Sequence, residues 1–244
     1  MSTSLIGPGP QVVAQGLMTS SADQLHVLGE KTVSNDGRTF RYVKVGGTTL
    51  RPGDWLQSPA LVANHVNLTP TAVLAVGSTE VTVTLGATAA TANQYSGGYM
   101  VVELATTGKG QTLLIKSHPS ASSSGTLAVT LDDAVSVLTS GTTTVSLTLN
   151  RYNGVIQTPV TTLTGTPVGV AVFAIVNAQF GWICSRGLTG ALADGAITVG
   201  TVASAVPSAA AGAAKVMAAT LFAVGMVAKT SIDTQVTPTH VSLD

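Results

Sequence analysis

Aliphatic residues alternate with small or hydroxyl residues along three segments of this chain: Glu80-Val81-Thr82-Val83-Thr84-Leu85, Thr126-Leu127-Ala128-Val129-Thr130-Leu131 and Thr144-Val145-Ser146-Leu147-Thr148-Leu149. Successive side chains of a strand point to opposite faces, so period-two spacing places the aliphatics on one face and predicts half-buried antiparallel strands. Residues 97–104 and 111–116 read as further strands, joined by the turn Thr107-Gly108-Lys109-Gly110. An earlier hairpin is signalled by Lys31-Thr32-Val33, the turn Asn35-Asp36-Gly37-Arg38 and the alternating run Phe40-Arg41-Tyr42-Val43-Lys44-Val45. Gly46-Gly47 breaks that strand, and Leu50-Arg51-Pro52-Gly53-Asp54-Trp55-Leu56 reads as a turn leading into another short one.

The pattern changes from Pro167 onward. Residues 168–176 and 180–185 are nearly continuously apolar, as expected of strands buried on both faces. Asp194-Gly195 is a turn before a predicted strand at 196–200, and residues 221–229 and 236–243 are positioned to close a sheet. The Ala-rich run at 208–220 has helix propensity by residue type, but Pro207 and Gly212 interrupt it and it lacks a polar face, so loop and strand are expected there, with a short helix as the alternative. Residues 87–94 are a candidate helical turn. The reading is an all-β chain of antiparallel barrel or sandwich modules. Its expected parts are an extended N-terminal arm at 1–24, a main β domain at 25–159 and a second β unit at 160–244.

Composition agrees: 36 Thr, 32 Val and 31 Ala stand against 4 Phe, 4 Tyr and 2 Trp in 244 residues. β-branched side chains suit a pleated surface better than a helix. Net charge is zero, with 11 basic and 11 acidic residues, and the densest basic group, Lys31, Arg38, Arg41, Lys44 and Arg51, is diluted by Glu30, Asp36 and Asp54. No nucleic-acid partner is expected, because counterion release needs clustered cations. A charged fraction of 9%, against about 25% in ordinary soluble domains, points to a surface meant to be covered. No run reaches the ~20 apolar residues of a membrane span, and the first residues lack a signal-peptide pattern, so synthesis and folding in a cytoplasm are expected.

Candidate chemistry is sparse. His26, His65, His118 and His240 are scattered, without the Gly-x-Ser-x-Gly setting of a catalytic serine or the close ligand spacing of a zinc site. Asp132-Asp133 is the only acidic doublet and reads as a solvated turn; an enzyme reading needs a pocket uniting it with an aromatic platform. Cys184 reads as a small buried hydrophobe. No catalytic, cofactor or metal site is therefore expected. The candidate partner-binding residues are Val12, Val13, Leu17 and Met18, an apolar patch behind Gly7-Pro8-Gly9-Pro10 that either folds back on its own domain or lies across a neighbouring subunit, together with Trp55, whose Pro52-Gly53-Asp54 neighbours suggest an open indole; Trp182 reads as core.

Several linked features, residues 81–98, Lys116-Ser117-His118-Pro119, Val168-Gly169-Val170-Ala171, Phe180-Gly181-Trp182 and Ala193-Asp194-Gly195-Ala196, resemble virion structural proteins of tailed bacteriophages. The resemblance is to capsid decoration, or cement, proteins. It implies a β-rich module on the outside of an icosahedral shell, often at three-fold points, with the major capsid protein and copies of itself, as a homotrimer, for partners. A tail or fibre component is the alternative.

Overall fold

The structure is a computed structural model that describes residues 6–7, 9–10, 15–160, 162–204, 210–217 and 223–244. It is built from strands; the one helical element among the described residues is a 3-10 turn at Ala63–His65. The chain forms two compact units. Unit 1 comprises residues 1–59 and 151–244, and unit 2 comprises residues 60–150.

Unit 1 begins with a short pairing of β1 (Ile6–Gly7) and β2 (Gly9–Pro10), followed by β3 (Lys31–Val33), β4 (Thr39–Val45) and β5 (Trp55–Gln57). The β3–β4 hairpin is the one expected from Asn-Asp-Gly, and Gly37 adopts the positive φ of 81° that its turn requires.

The chain then builds unit 2 from β6 (Glu80–Thr84), β7 (Tyr99–Leu104), β8 (Thr112–Ser117), β9 (Thr126–Leu131) and β10 (Thr144–Thr148). These form a 5-stranded antiparallel sheet in the order β10-β7-β8-β9-β6. Residues 67–71 lie between the two edge strands. Leu68 exchanges both backbone hydrogen bonds with Val145 of β10, at 2.7 and 2.9 Å, while Thr71 donates to Thr82 and Thr84 donates to Thr69 beside β6. The sheet is thereby closed into a barrel, which leaves no free edge for unintended strand pairing. Its interior is the aliphatic face read from the sequence: Val81, Val83, Leu127, Val129, Leu131, Val145 and Leu147 are all buried. The β7–β10 pairing is close at Gly98, where a Cβ would collide with the Thr148 carbonyl oxygen. Residues 87–94 run as a bend, an antiparallel bridge from Ala90 to Ala121 and the start of a turn rather than as a helical turn.

The chain returns to unit 1 with β11 (Asn153–Gln157), β12 (Pro167–Ala171), β13 (Phe180–Leu192), β14 (Val202–Ser204), β15 (Lys215–Val216), β16 (Gly225–Val227) and β17 (Val236–Ser242). Pairings β4–β13, β13–β12, β12–β5, β5–β11 and β11–β4 complete a ring. All are antiparallel except β11–β4. A ring with an odd number of strands cannot alternate direction throughout, so one parallel pair is a geometric necessity. Val43, Val45, Leu56, Val155 and Ile183 fill this barrel.

The second half of β13 leaves the barrel and pairs with β17 from Arg186 to Leu192. The sheet continues through β16, β14 and β15. Ala214, just before β15, bonds back to Leu192 and Asp194, closing a second ring. Its core joins Ala191, Ala193, Ala203 and Ala214 to Trp55, Val170, Ile197, Val224, Val227 and Val241.

These pairings place the domain division elsewhere than at 159/160. β4 and β5 find their partners in β11, β12 and β13, so the early and late segments share one body and residues 60–150 are an insertion. The predicted strand at 196–200 is irregular, although Ile197 is buried. In the Ala-rich run, described residues 210–217 are turn and strand, as expected.

Candidate interaction surfaces

Of the sequence-derived partner residues, Val12 and Val13 lie outside the described residues. Leu17 is buried against Phe40, Tyr42, Phe180, Trp182 and Cys184 of its own unit. Gln15 secures this docking: its Nε2 donates to the Phe180 carbonyl at 3.0 Å, its Oε1 accepts from the Tyr42 hydroxyl at 2.7 Å, and its carbonyl accepts from Trp182 Nε1 at 3.2 Å. Residues 15–24 thus fold back on unit 1 instead of reaching outward, with Met18 exposed, at 62%. Trp55 is fully buried, contrary to the expectation of an open indole. Its backbone N–H donates to the Gly212 carbonyl at 2.7 Å, a contact 157 positions distant that no local pattern reveals.

Two surfaces carry exposed apolar groups on rigid backbone. The first is the outer face of the unit 1 sheet. Along β17, Thr237, Thr239 and Val241 point inward while Val236, Pro238, His240 and Ser242 point outward. Cross-strand register aligns Leu188, His240, Met226 and Val202 in one outward row, and Leu188, Met226 and Val236 are each nearly half exposed. A shallow depression in this face is lined by Leu188, Gly190, Val236 and Pro238, with Arg38 at its rim. Gly190 makes the hollow possible, since a Cβ there would meet Val236 Cγ1 at 2.9 Å. Arg38 is held by Asp36 at 2.7 Å and lies over the Phe40 ring.

The second surface is one end of the unit 2 barrel. Leu104, Val137 and Leu138 are about half exposed, and Val73 and Val76 more so. Hydrogen bonds tie these segments together. The Gln111 amide donates to the carbonyls of Gly108 and Val137, and its Oε1 accepts from the backbone of Ser136 and Val137. Thr107 Oγ1 donates to the Leu138 carbonyl, and Leu74 N–H donates to Thr139 Oγ1. Two consecutive aliphatics are therefore presented on a loop whose backbone is already fixed, so little entropy remains to be lost on docking.

The histidines of unit 2 serve structure. His65 Nε2 faces the Thr88 carbonyl at 2.9 Å and Nδ1 faces the Tyr95 hydroxyl; His118 Nδ1 faces the Pro119 carbonyl at 2.8 Å and Nε2 accepts from Tyr95 N–H at 3.0 Å. Both imidazoles are committed to holding the loop before β7. Burial raises the Tyr95 phenol well above its ordinary range. Asp132 and Asp133 are exposed, with Asp132 3.8 Å from Lys116 Nζ. Cys184 is buried, and desolvation pushes its thiol up to about 11. Among the described residues no group of His, Cys, Asp or Glu is arranged to hold a metal ion.

Comparison with known proteins returns no matching family model, no matching curated protein and no matching solved structure.

Proposed function

We propose that this chain is a non-enzymatic virion structural protein that decorates the outside of a bacteriophage capsid, bridging adjacent capsomers of the major capsid protein and associating with copies of itself. The observation that carries the reading is the pair of preorganised, exposed apolar surfaces, one on each unit, in a chain of very low charge. Contiguous exposed apolar groups on rigid backbone are the usual mark of a protein contact. The closed unit 2 barrel suits the role, because its ring of pairings offers no strand edge to neighbours. Stable contacts bury about 800 Å² per partner; linking several weaker contacts in one complex gains about 10²–10⁴ in avidity where geometry allows. Such a clamp resists capsomer separation under genome pressure.

The test is removal and add-back. Particles stripped of the protein are expected to keep an assembled shell but release their genome at lower temperature, and purified protein is expected to restore the original value. Equal release temperatures for stripped and complete particles would overturn the cementing role and favour a tail or fibre component, which labelling of intact particles would then locate.

A further inference from the structure

Residues 15–25 lie as a strap across the face of unit 1 that carries Tyr42 and Trp182. Ser21 exchanges both backbone hydrogen bonds with Phe180, at 3.0 and 2.8 Å, and Leu25 N–H donates to the Tyr42 hydroxyl at 3.2 Å. Since Gln15 is held by the Tyr42 hydroxyl and by Trp182 Nε1, those two side chains anchor both ends of the strap. His26 follows directly, with its side chain only 10% exposed. Its ring meets the same two residues edge to face, the centroids lying 5.1 Å from Tyr42 and 5.0 Å from Trp182. Nδ1 stands 3.2 Å from Glu30 Oε1, whereas Nε2 is buried and has no hydrogen-bond partner among the described residues. Beyond the ring the chain is fixed again: Gly29 N–H donates to the Tyr42 carbonyl at 2.8 Å, and Tyr42 N–H donates to the Glu30 carbonyl at 3.1 Å.

We infer that His26 is a proton-operated latch: in acid its charged ring leaves the Tyr42–Trp182 cage, and residues 15–25 lift from unit 1 as far as the Gly29–Glu30 anchor. The neutral ring donates from Nδ1 to Glu30 and leaves one lone pair at Nε2 unused. Protonation puts an N–H at Nε2 with no acceptor to receive it, and places a charge between two aromatic side chains out of water. A buried charge costs far more than a buried unused acceptor. Glu30 does not offset this. It lies four residues along the same segment, so it can pair with the imidazolium equally well once the ring has turned out into water, and its attraction cancels between the docked and released states. The remaining groups offer no acceptor. From β4 the cage is faced by the Tyr42 phenol, which burial holds protonated and which already donates to Gln15; from β13 it is faced by uncharged Trp182. Lys44 lies over the Phe180 ring, and Arg41 is engaged with the Gly29 carbonyl and Asp244. Release uncovers Phe40, Tyr42, Phe180 and Trp182 together. The inference concerns the isolated chain and does not depend on the capsid reading.

The test is hydrogen exchange at the two indole N–H groups of the full-length protein, followed by NMR from about pH 8 to about pH 5, the range in which imidazoles ordinarily titrate. Protection is expressed relative to free indole at the same pH. Trp182 Nε1–H is bonded to the Gln15 carbonyl and loses protection when the strap lifts, whereas Trp55 sits in the core of the second ring and reports unfolding. A single proton changes the docked-to-released ratio by at most about 10-fold per pH unit. Trp182 protection is therefore expected to fall by about 10-fold or more across the range while Trp55 protection holds, and the His26 ring resonances are expected to titrate in step with that fall. His26→Gln takes up no proton there and is expected to keep Trp182 protection constant; His26→Phe, which keeps an aromatic ring in the cage, is expected to do the same. Trp182 protection that stays constant or rises toward acid in the native chain would overturn the inference. An equal fall at Trp55 would overturn it in favour of general acid unfolding, and a fall out of step with the His26 resonances, or one that persists in either variant, would assign the proton to another group.

Discussion

Replacing Leu127 by alanine tests whether the insertion is an independent cooperative body. Leu127 is fully buried in the unit 2 barrel, directly opposite Val83 across the β6–β9 pair. Each lost methylene equivalent costs about 0.8 kcal/mol of transfer free energy. The closed ring cannot collapse into the space left behind, and the cavity penalty brings the total to about 3–5 kcal/mol. For a body of this size each kcal/mol moves the midpoint by about 4–8 °C, so a fall of at least ~12 °C is expected. Calorimetry of the full chain is the assay. The native protein should show separate unit 1 and unit 2 transitions, and Leu127→Ala should lower the unit 2 transition while moving the other far less. Ile183→Ala, in the unit 1 barrel, should do the reverse. A single transition shifted equally by both substitutions would refute the assignment of separate cores.

Asp244 accepts a two-pronged pair from Arg41, at 2.7 and 2.9 Å, which with the Ser185 hydroxyl holds its carboxyl below the usual range against the opposing effect of burial. A lowered folded value means the stabilisation is complete above the unfolded value near 3.9 and is lost as pH falls through the folded one; Asp244→Asn should cost ~1 kcal/mol in urea unfolding at neutral pH, and the difference from the native chain should vanish in strong acid. Burial raises the phenols of Tyr42, Tyr95 and Tyr152, so stability linked to them is complete below about 10 and declines as pH rises beyond it. Tyr95→Phe should therefore lose ~1 kcal/mol at neutral pH with its His65 bond yet show a shallower alkaline decline of the unit 2 transition. Cys184, its thiol pushed up to about 11 chiefly by desolvation, should resist aromatic disulfide reagents in the native protein at mildly alkaline pH and react at once in denaturant; rapid native labelling would contradict its burial.

Strand identity was largely legible in the sequence, and strand partnership was not. The period-two runs became β6, β9 and β10 nearly residue for residue, because half-burial imposes alternation on any strand whatever it pairs with. The partner of β5 lies beyond an insertion at 60–150, and nothing in Trp55-Leu56-Gln57 encodes that distance. Trp55 was misread for the same reason: Pro52-Gly53-Asp54 signals a turn correctly, but the turn is roofed by Gly212 and by alanines far along the chain. The outward row Leu188–His240–Met226–Val202 escaped notice because its members belong to different strands and meet only through register.

The position of the insertion bears on how the chain reaches its fold. Gln57 of β5 pairs with Ile156 of β11, so unit 2 occupies what would otherwise be the loop of a hairpin, and β5 leaves the ribosome long before its neighbour exists. Once unit 2 has folded, the Leu68–Val145 bridge shortens the flexible path between those strands from some ninety residues to about twenty, which lowers the closure entropy by roughly 1 kcal/mol. Synthesis order and entropy thus point the same way: an inserted barrel that is folded first serves as an internal clasp for the strands on either side of it.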